Sequence, residues 1–380
     1  MTVFINDVSA FLPNGPVEND KMEAILGMTG QTPSLIREKI LNSNQIKTRY
    51  YAIDPETRES THTNAQLTAS AVRKLKPHNG FTINDIRCLA CGTSSPDMIL
   101  PGHGLMVHGE LGIPGCEVMT TAGICLSGIT ALKYAWMNVE TCLSDNAVST
   151  GSETASSFMR SEFFTPGGDP CAIEDRPELL FDAEFLRWML SDGAGAVFMS
   201  REKNSGSLSL RIDWIEHRSF ADTLTMCMYA GGIKKDDGSA SGWRDFKGNS
   251  GVPKDYLFAL KQDTKLLGRE ILKTGFNFLL KDIAAKRGLH PDDYAYYLPH
   301  YSSGYFRDKI YNVMKEIDFE IPYEKWFTNL STKGNIGSAS IYIILDELFH
   351  SDKLRNGDKL LCFIPESGRF SHAFMQLTAV

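Results

Sequence analysis

The feature that most constrains the fold is that the chain repeats itself. "TINDIRCLACGTSS" (82–95) lines up with "HPDDYAYYLPHYSS" (290–303) at an offset of 208. Each runs from an aspartate-bearing polar lead through an apolar stretch into a Ser-Ser loop. A second pair, "TAGICLSG" (121–128) and "TKGNIGSA" (332–339), lines up at an offset of 211, each a Thr-x-Gly turn into a helical pattern. Either match alone is weak, but two in the same order at nearly the same offset imply a duplicated unit. The chain then reads as an N-terminal half, 1–205, and a C-terminal half, 206–380, with Cys125 and Asn335 at related turns.

Both halves alternate strand and helix. Strands are expected at "IRCLACG", "CEVMTTAG", "AVFMS" and "AYYLP". Helices are expected at "GHGLMVHGELG", Leu126–Val139, Gly304–Ile317 and "SASIYIILDELF", and a hairpin over "KLLCFIPESGRFSHAFMQLTA". Alternation of this kind specifies α/β layers. The 380 residues suffice for two or three domain-sized units with a large core. No Pro-rich, Ser-rich or charged linker separates them, so they must pack closely.

Charge and composition remove several functions. The net charge is −7 with no Lys/Arg block, which argues against a nucleic-acid surface. A local basic patch for an acidic carrier protein remains compatible with that balance. "MTVFINDVSAFLPNGPVEND" has no basic segment followed by an apolar run, so no secretory signal is expected. Nothing reaches the roughly 18 apolar residues of a membrane span. The eight cysteines are scattered without framework spacing and read as reduced thiols of a cytoplasmic protein.

Three residues carry the candidate chemistry. Cys125 stands after a Thr-Ala-Gly turn at the start of a helix that is apolar nearly all round. A helix N-terminus lowers a thiol's pKa and aims backbone N–H groups at an oxyanion. The competing reading is a small core hydrophobe. His300 follows a strand stopped by Pro299, at the strand edge where α/β sheets collect ligands. Asn335, in "STKGNIGSAS", suits a plain turn equally well. Together, a thiol nucleophile with His and Asn as carbonyl-polarising donors makes a coherent set for thioester chemistry.

Cys125 in "AGICLSGITALKYA", His300 in "LPHYSS" and Asn335 in "KGNIGSASI" resemble, in order and spacing, the thiolase-fold condensing enzymes, most of all ketoacyl-ACP synthase III. "SSPDMILPGHGLMVHGELGI" (94–113) and "SDGAGAVFMS" (191–200) are similar too, so the likeness spans essentially the whole chain. The resemblance implies a five-layered α/β/α/β/α fold of two duplicated halves, a homodimer, and no metal or redox cofactor. It implies Cys125 as acyl acceptor from an acyl carrier protein or coenzyme A thioester, and His300 and Asn335 as hydrogen-bond donors to the second substrate. Two segments depart from ketoacyl-ACP synthase III: Tyr301-Ser302-Ser303 replaces Gln-Ala-Asn after the histidine, and "PESGRFSHAF" (365–374) replaces the terminal glycine-rich loop. These departures look like the ketosynthases of dialkylresorcinol and flexirubin-type pathways. The implied reaction joins a 3-oxoacyl thioester to a second, 2,3-unsaturated acyl thioester and closes a 2,5-dialkylcyclohexane-1,3-dione. Alternatives are an ordinary ketoacyl-ACP synthase III, a pyrone-forming relative, or a non-catalytic partner subunit, the last disfavoured because Cys125, His300 and Asn335 are all present.

A 3-oxoacyl substrate needs a proton acceptor. His300 is the expected one, since imidazole titrates near neutrality; Glu366 is a weaker candidate, because a surface-loop glutamate is usually just solvated. Glu153, after a strand, is a further candidate to reach the site. Cys88 and Cys91 have CxxC spacing inside a strand and no second ligand pair, against zinc. His103, His108 and His217 read as structural. The "AGGIKKDDGSASG" stretch (230–242) reads as a mobile surface loop, and Ser302 or Ser303 as the cap of the 304–317 helix.

Overall fold

The computed structural model describes residues 1–29, 32–34, 36–77, 80–164, 184–246 and 257–380; Cys171 lies outside them. The N-terminal half opens with strand β1 (Phe4–Phe11) and a small lobe of β2 (Val17–Glu18), α1 (Met22–Leu26), α2 (Arg37–Asn44) and β3 (Thr48–Arg49). Helix α3 (Asn64–Arg73) starts at a reciprocal cap between Thr63 and Gln66. There follow β4 (Cys88–Thr93), α4 (His103–Leu111), β5 (Glu117–Ala122), α5 (Leu126–Glu140), β6 (Asn146–Glu153) and β7 (Gly193–Ser200). The unbroken apolar run of β4 suits a strand covered on both faces, and all six of its residues are buried.

In the C-terminal half come β8 (Leu210–Ser219), β9 (Met228–Tyr229), β10 (Gly232–Lys234), β11 (Ala240–Gly242) and β12 (Lys261–Gln262). Helix α6 (Thr264–Leu272) continues as a π-helical segment (Lys273–Leu280) into α7 (Lys281–Arg287). Then follow β13 (Tyr294–Pro299), α8 (Arg307–Glu316), α9 (Leu330–Lys333), α10 (Ser340–Phe349), and the hairpin β14 (Lys359–Glu366) and β15 (Ser371–Ala379).

Strand order displays the duplication. The sheet runs β13-β14-β15-β8-β1-β7-β6-β4-β5. In the first half β4 is parallel to β5 and β6, whereas β6–β7 and β7–β1 are antiparallel. In the second half β13–β14 is parallel, while β14–β15 and β15–β8 are antiparallel. The place of β5 is taken by a single parallel bridge between Tyr297 and Trp326. The half-sheets join where β1 meets β8, at Phe4↔Arg211 and Ile5↔Leu210.

Five layers result. Leu67 and Val72 of α3 and Val107 and Leu111 of α4 cover one face of the first half-sheet, against Leu89, Val148 and Phe198. Between the half-sheets lie α5 and α10, where Leu132, Ala135, Ile341 and Leu345 meet Val197 and Met199 from one side and Cys362 and Met375 from the other. Being covered on most sides, these two helices carry little polar surface, which is why the α5 sequence reads apolar nearly throughout. The last layer holds α6, the π segment and α8. Close approach at the centre depends on glycine: a Cβ on Gly128 or Gly151 would collide with the Ser338 carbonyl. That contact seats the turn following Asn335 against α5 and β6.

Two expectations need adjustment. Residues 230–242 are not a mobile loop: β10 and β11 pair antiparallel from Gly232↔Gly242 to Lys234↔Ala240. The 304–317 helix opens with a 3-10 turn, Gly304–Phe306, whose cap is Ser303, and α8 proper begins at Arg307. Cys88 and Cys91 face opposite sides of β4, one toward the central layer and one toward the outer helices, so they cannot share a metal.

Candidate active site

Cys125, His300 and Asn335 line one cavity, with Ser94, Ser95, Glu153 and a largely apolar remainder. Cys125 and His300 are each delivered by the turn after a strand; Asn335, against expectation, follows the short helix α9 and is tied to the sheet side by a parallel bridge to Leu190.

Cys125 sits between β5 and α5 with helical backbone angles, φ −57° and ψ −23°. The turn is locked by Ser127, whose N–H (3.0 Å) and hydroxyl (2.8 Å) both donate to the Ile124 carbonyl. The expected lowering of its pKa does not follow. Burial raises the thiol well above its ordinary value, and the carboxylates of Glu153 and Glu366 push it further the same way. A helix terminus worth about 0.3–1 kcal/mol at an exposed site is outweighed where water is excluded and two anions are near. At rest Cys125 is therefore a thiol.

His300 is buried, and its N–H donates to the Phe363 carbonyl at 2.9 Å, extending the β13–β14 pairing by one residue. Burial pushes its pKa down to about 4, away from the near-neutral value expected. The ring is neutral at pH 7, with one nitrogen a donor and the other an acceptor. Asn335 is held by three contacts: its N–H to Met189 O (2.9 Å), its carbonyl to Ser191 N–H (2.9 Å), and its Oδ1 to Gly337 N–H (3.0 Å). With Oδ1 engaged, the amide presents its Nδ2 donors to the cavity.

Glu153, the last residue of β6, lies in the same cavity with 3% of its surface exposed. Its Oε2 accepts from the hydroxyls of Ser94 and Ser95, both at 2.7 Å. Its Oε1 accepts from Ser94 N–H (3.2 Å) and Ser338 N–H (3.3 Å). Burial nevertheless raises its pKa above the ordinary glutamate value, against the pull of those hydrogen bonds. The Ser-Ser loop after β4 was legible as a repeat feature, but nothing in the sequence joined it to a carboxylate 59 positions away.

Glu366 is not a solvated loop residue. It is buried at the end of β14 and accepts from the N–H groups of Gly368, Arg369 (3.5 Å) and Ser371 (3.1 Å), pinning the β14–β15 turn. Burial raises its pKa too. His103 is structural as read: it is buried, pushed down to about 4 by desolvation, and lies 3.3 Å from Thr68 Oγ1 and 3.2 Å from Ser152 Oγ. Among the described residues no group of three or more His, Cys, Asp or Glu is placed to hold a metal ion. None of the described helices is long and apolar enough to cross a membrane.

Comparison with known proteins fits this picture. The family described as 3-oxoacyl-[acyl-carrier-protein (ACP)] synthase III C terminal matches residues 284–364. Beta-ketoacyl-[acyl-carrier-protein] synthase III of Clostridium perfringens is 24% identical over 355 residues, 92% of this chain and 91% of that protein. Its counterpart from Xanthomonas oryzae is 23% identical over 94% of this chain and 92% of its own. Among solved structures, AbyA1, a tetronic acid condensing enzyme, superposes with TM-score 0.78 at 19% identity, covering 99% of both chains. A variant of OleA from Xanthomonas campestris gives 0.76 at 19% identity, covering 100% of this chain and 98% of its own. The protein is a thiolase-fold condensing enzyme, an acyltransferase by class. Over nearly its whole length the chain is similar to the ketoacyl-ACP synthase III enzymes.

Proposed function

We propose that this enzyme joins two acyl chains, taking an acyl group onto Cys125 and condensing it with a 3-oxoacyl thioester. The observation that carries the reading is Glu153, a buried carboxylate held by four donors in the cavity of Cys125, His300 and Asn335. A malonyl extender makes its carbanion by losing carbon dioxide and needs no base. A 3-oxoacyl thioester has an acidic carbon between two carbonyls and does need one. A carboxylate raised toward neutrality is better matched to that task than an imidazole lowered to about 4. Glu153 is therefore the acceptor in this proposal, in place of His300.

The steps run as follows. The Cys125 sulfur displaces the carrier thiol, from acyl carrier protein or coenzyme A, to give an acyl-enzyme. Glu153 takes the proton from the 3-oxoacyl substrate, and His300 and Asn335 donate to its enolate oxygen. With a 2,3-unsaturated chain on Cys125, the carbanion adds to the chain's β-carbon. The γ-carbon of the 3-oxoacyl part then attacks the Cys125 thioester, closing the ring and releasing the thiol. Hydrolysis and decarboxylation of the remaining thioester leave a 2,5-dialkylcyclohexane-1,3-dione. No further cofactor enters. OleA from Xanthomonas campestris has been solved with lauric acid and lauroyl-CoA, which supports an acyl thioester in this fold.

The working unit is proposed to be a cytoplasmic homodimer, each protomer built of halves 1–205 and 206–380. Among the described residues the outer edge of strand β5 has no partner strand, and Met98, Ile99, Leu100 and Leu105 are exposed. A second copy pairing there would cover both.

The rival reading, acyl-CoA plus malonyl-carrier, rests on the names of the curated relatives. Purified protein given an enoyl thioester and a 3-oxoacyl thioester, with no malonyl donor, should form the cyclic dione. Turnover of malonyl-carrier with 3-oxoacyl thioester left untouched would return the enzyme to ordinary ketoacyl-ACP synthase III, and a lactone product to the pyrone-forming type.

A further inference from the structure

The wall of the cavity supplied by α6 is built in an unusual way. Leu267 and Ile271, one turn apart on α6, face the cavity together with Leu272. The helix then changes winding, and Lys273–Leu280 forms eight residues of π-helix, a geometry that ordinarily occurs as single turns near functional sites.

The π segment is fastened from below by β15. Thr274 Oγ1 donates to the Glu270 carbonyl at 2.7 Å. Its one proton is thus committed, so toward His372 Nε2, also at 2.7 Å, it acts as acceptor. His372 therefore carries its proton on Nε2. It is fully buried, and burial drives its pKa down to about 3, so the ring stays neutral. Among the described residues its Nδ1 has no partner, and Thr274 supplies the ring's hydrogen bond. A Cβ on Gly275 would come within 3.1 Å of the Phe363 ring, and Phe276 meets the same ring edge-on at 4.7 Å between centroids. Phe363 itself lines the cavity, and its carbonyl takes the His300 N–H. At the other end, Asp263 caps α6 by accepting the Leu266 N–H at 2.9 Å and pairs with Lys234 at 2.8 Å. The wall is thus pinned at both ends and rests on the residue that aligns His300.

We propose that this wall sets the length of acyl chain the enzyme accepts, with Leu267 and Ile271 as specificity-determining residues and the Thr274–His372 pair as positioning residues. The inference rests on the reading of the cavity as the acyl site. A rigid wall converts each methylene beyond the available depth into a clash, and each methylene within it into buried area worth about a fourfold gain in affinity. A wall held only by α-helical packing has no comparable anchor to the strand beneath the cavity.

The test is a competition assay of the intact enzyme against saturated acyl-coenzyme A thioesters from butyryl to palmitoyl, reading Cys125 loading by mass spectrometry. Ile271→Ala should move the preferred chain about two methylenes longer, a change in relative kcat/KM of roughly tenfold between neighbouring optima. Thr274→Val keeps the volume but removes the acceptor, and should broaden the length preference. Thr274→Ser should restore it. A wall that is merely structural would lower loading by the same factor for every chain, so an unchanged length preference in both Ile271→Ala and Thr274→Val overturns the proposal. Failure of the unaltered enzyme to load any chain on Cys125 would instead remove the acyl-site reading itself, a result recognisable before any variant is made.

Discussion

Replacing Glu153 by glutamine isolates the step that separates chain-joining from decarboxylative extension. The substitution fits the observed contacts. Oε1 of the carboxylate receives two backbone N–H groups, from Ser94 and Ser338, which can only donate. Oε2 receives two serine hydroxyls; that of Ser94 can turn and accept instead, whereas Ser95 Oγ already accepts from Thr154 N–H at 2.8 Å and Asn64 Nδ2 at 3.3 Å. A glutamine with its oxygen on the backbone side and its NH2 on the serine side keeps every partner except the Ser95 hydroxyl, which loses its acceptor. The net change in stability should be small. Glu153 has a raised pKa, so its contribution is greatest below the unfolded value and is lost as pH climbs through the folded one. At neutral pH the variant is freed of that penalty, which offsets the lost Ser95 hydrogen bond, and it should melt close to the native enzyme. Acylation should persist as well, since one of the two carboxylates raising the Cys125 thiol is gone. Condensation with a 3-oxoacyl thioester should fall by about 10²–10⁴, the usual worth of a positioned base, or roughly 3–5 kcal/mol of barrier. The rise of condensation rate with pH should vanish with it. Single-turnover assays on pre-acylated enzyme separate the two steps. Undiminished condensation, or loss of loading in equal measure, would refute the assignment.

Alanine at His300 or Asn335 should leave Cys125 loading intact and cost condensation about 10²–10³, as for an oxyanion donor, measured on the pre-acylated protein. Gly151→Ala forces a methyl against the Ser338 carbonyl and the Tyr342 ring. It should cost about 1–3 kcal/mol by thermal unfolding and lower condensation more than loading, because the displaced turn carries Asn335. His350, hydrogen-bonded to Asp346 and also paired with Asp7, has its pKa raised to about 10. Its stabilisation is complete below about pH 6.5 and is lost as pH rises through 10, so His350→Gln should flatten the pH dependence of the melting temperature across that window. Light scattering should give a dimer mass, and charged substitutions at Ile99 and Leu100 should shift it toward monomer.

What the sequence disclosed was local or repeated. Strands β4 and β13, the turns at Cys125 and Asn335, and the β14–β15 hairpin follow from apolar patterning and turn chemistry within short windows. The duplication added long-range information, because the same pattern had to occupy the same place in two half-sheets. What escaped depended on partners far apart in the chain. Glu153 meets Ser338 across 185 positions, and no window holds both. Glu366 read as exposed because its loop is polar, yet backbone N–H groups enclose it. The Cys125 and His300 pKa expectations came from residue type and helix position, and burial overrode both. The 230–242 hairpin was hidden by its glycines and charges, which satisfy a short exposed ribbon as readily as a loop.

The central claim, that Cys125 holds the acyl chain to be joined, is most directly tested by peptide-mapped mass spectrometry after brief exposure to a 2,3-unsaturated acyl thioester alone. The account predicts one acyl adduct, on the peptide containing Cys125, absent from Cys125→Ala and discharged as the cyclic dione when 3-oxoacyl thioester is added. An adduct on Cys88, Cys91 or Cys171, or dione formed by Cys125→Ala, would contradict it.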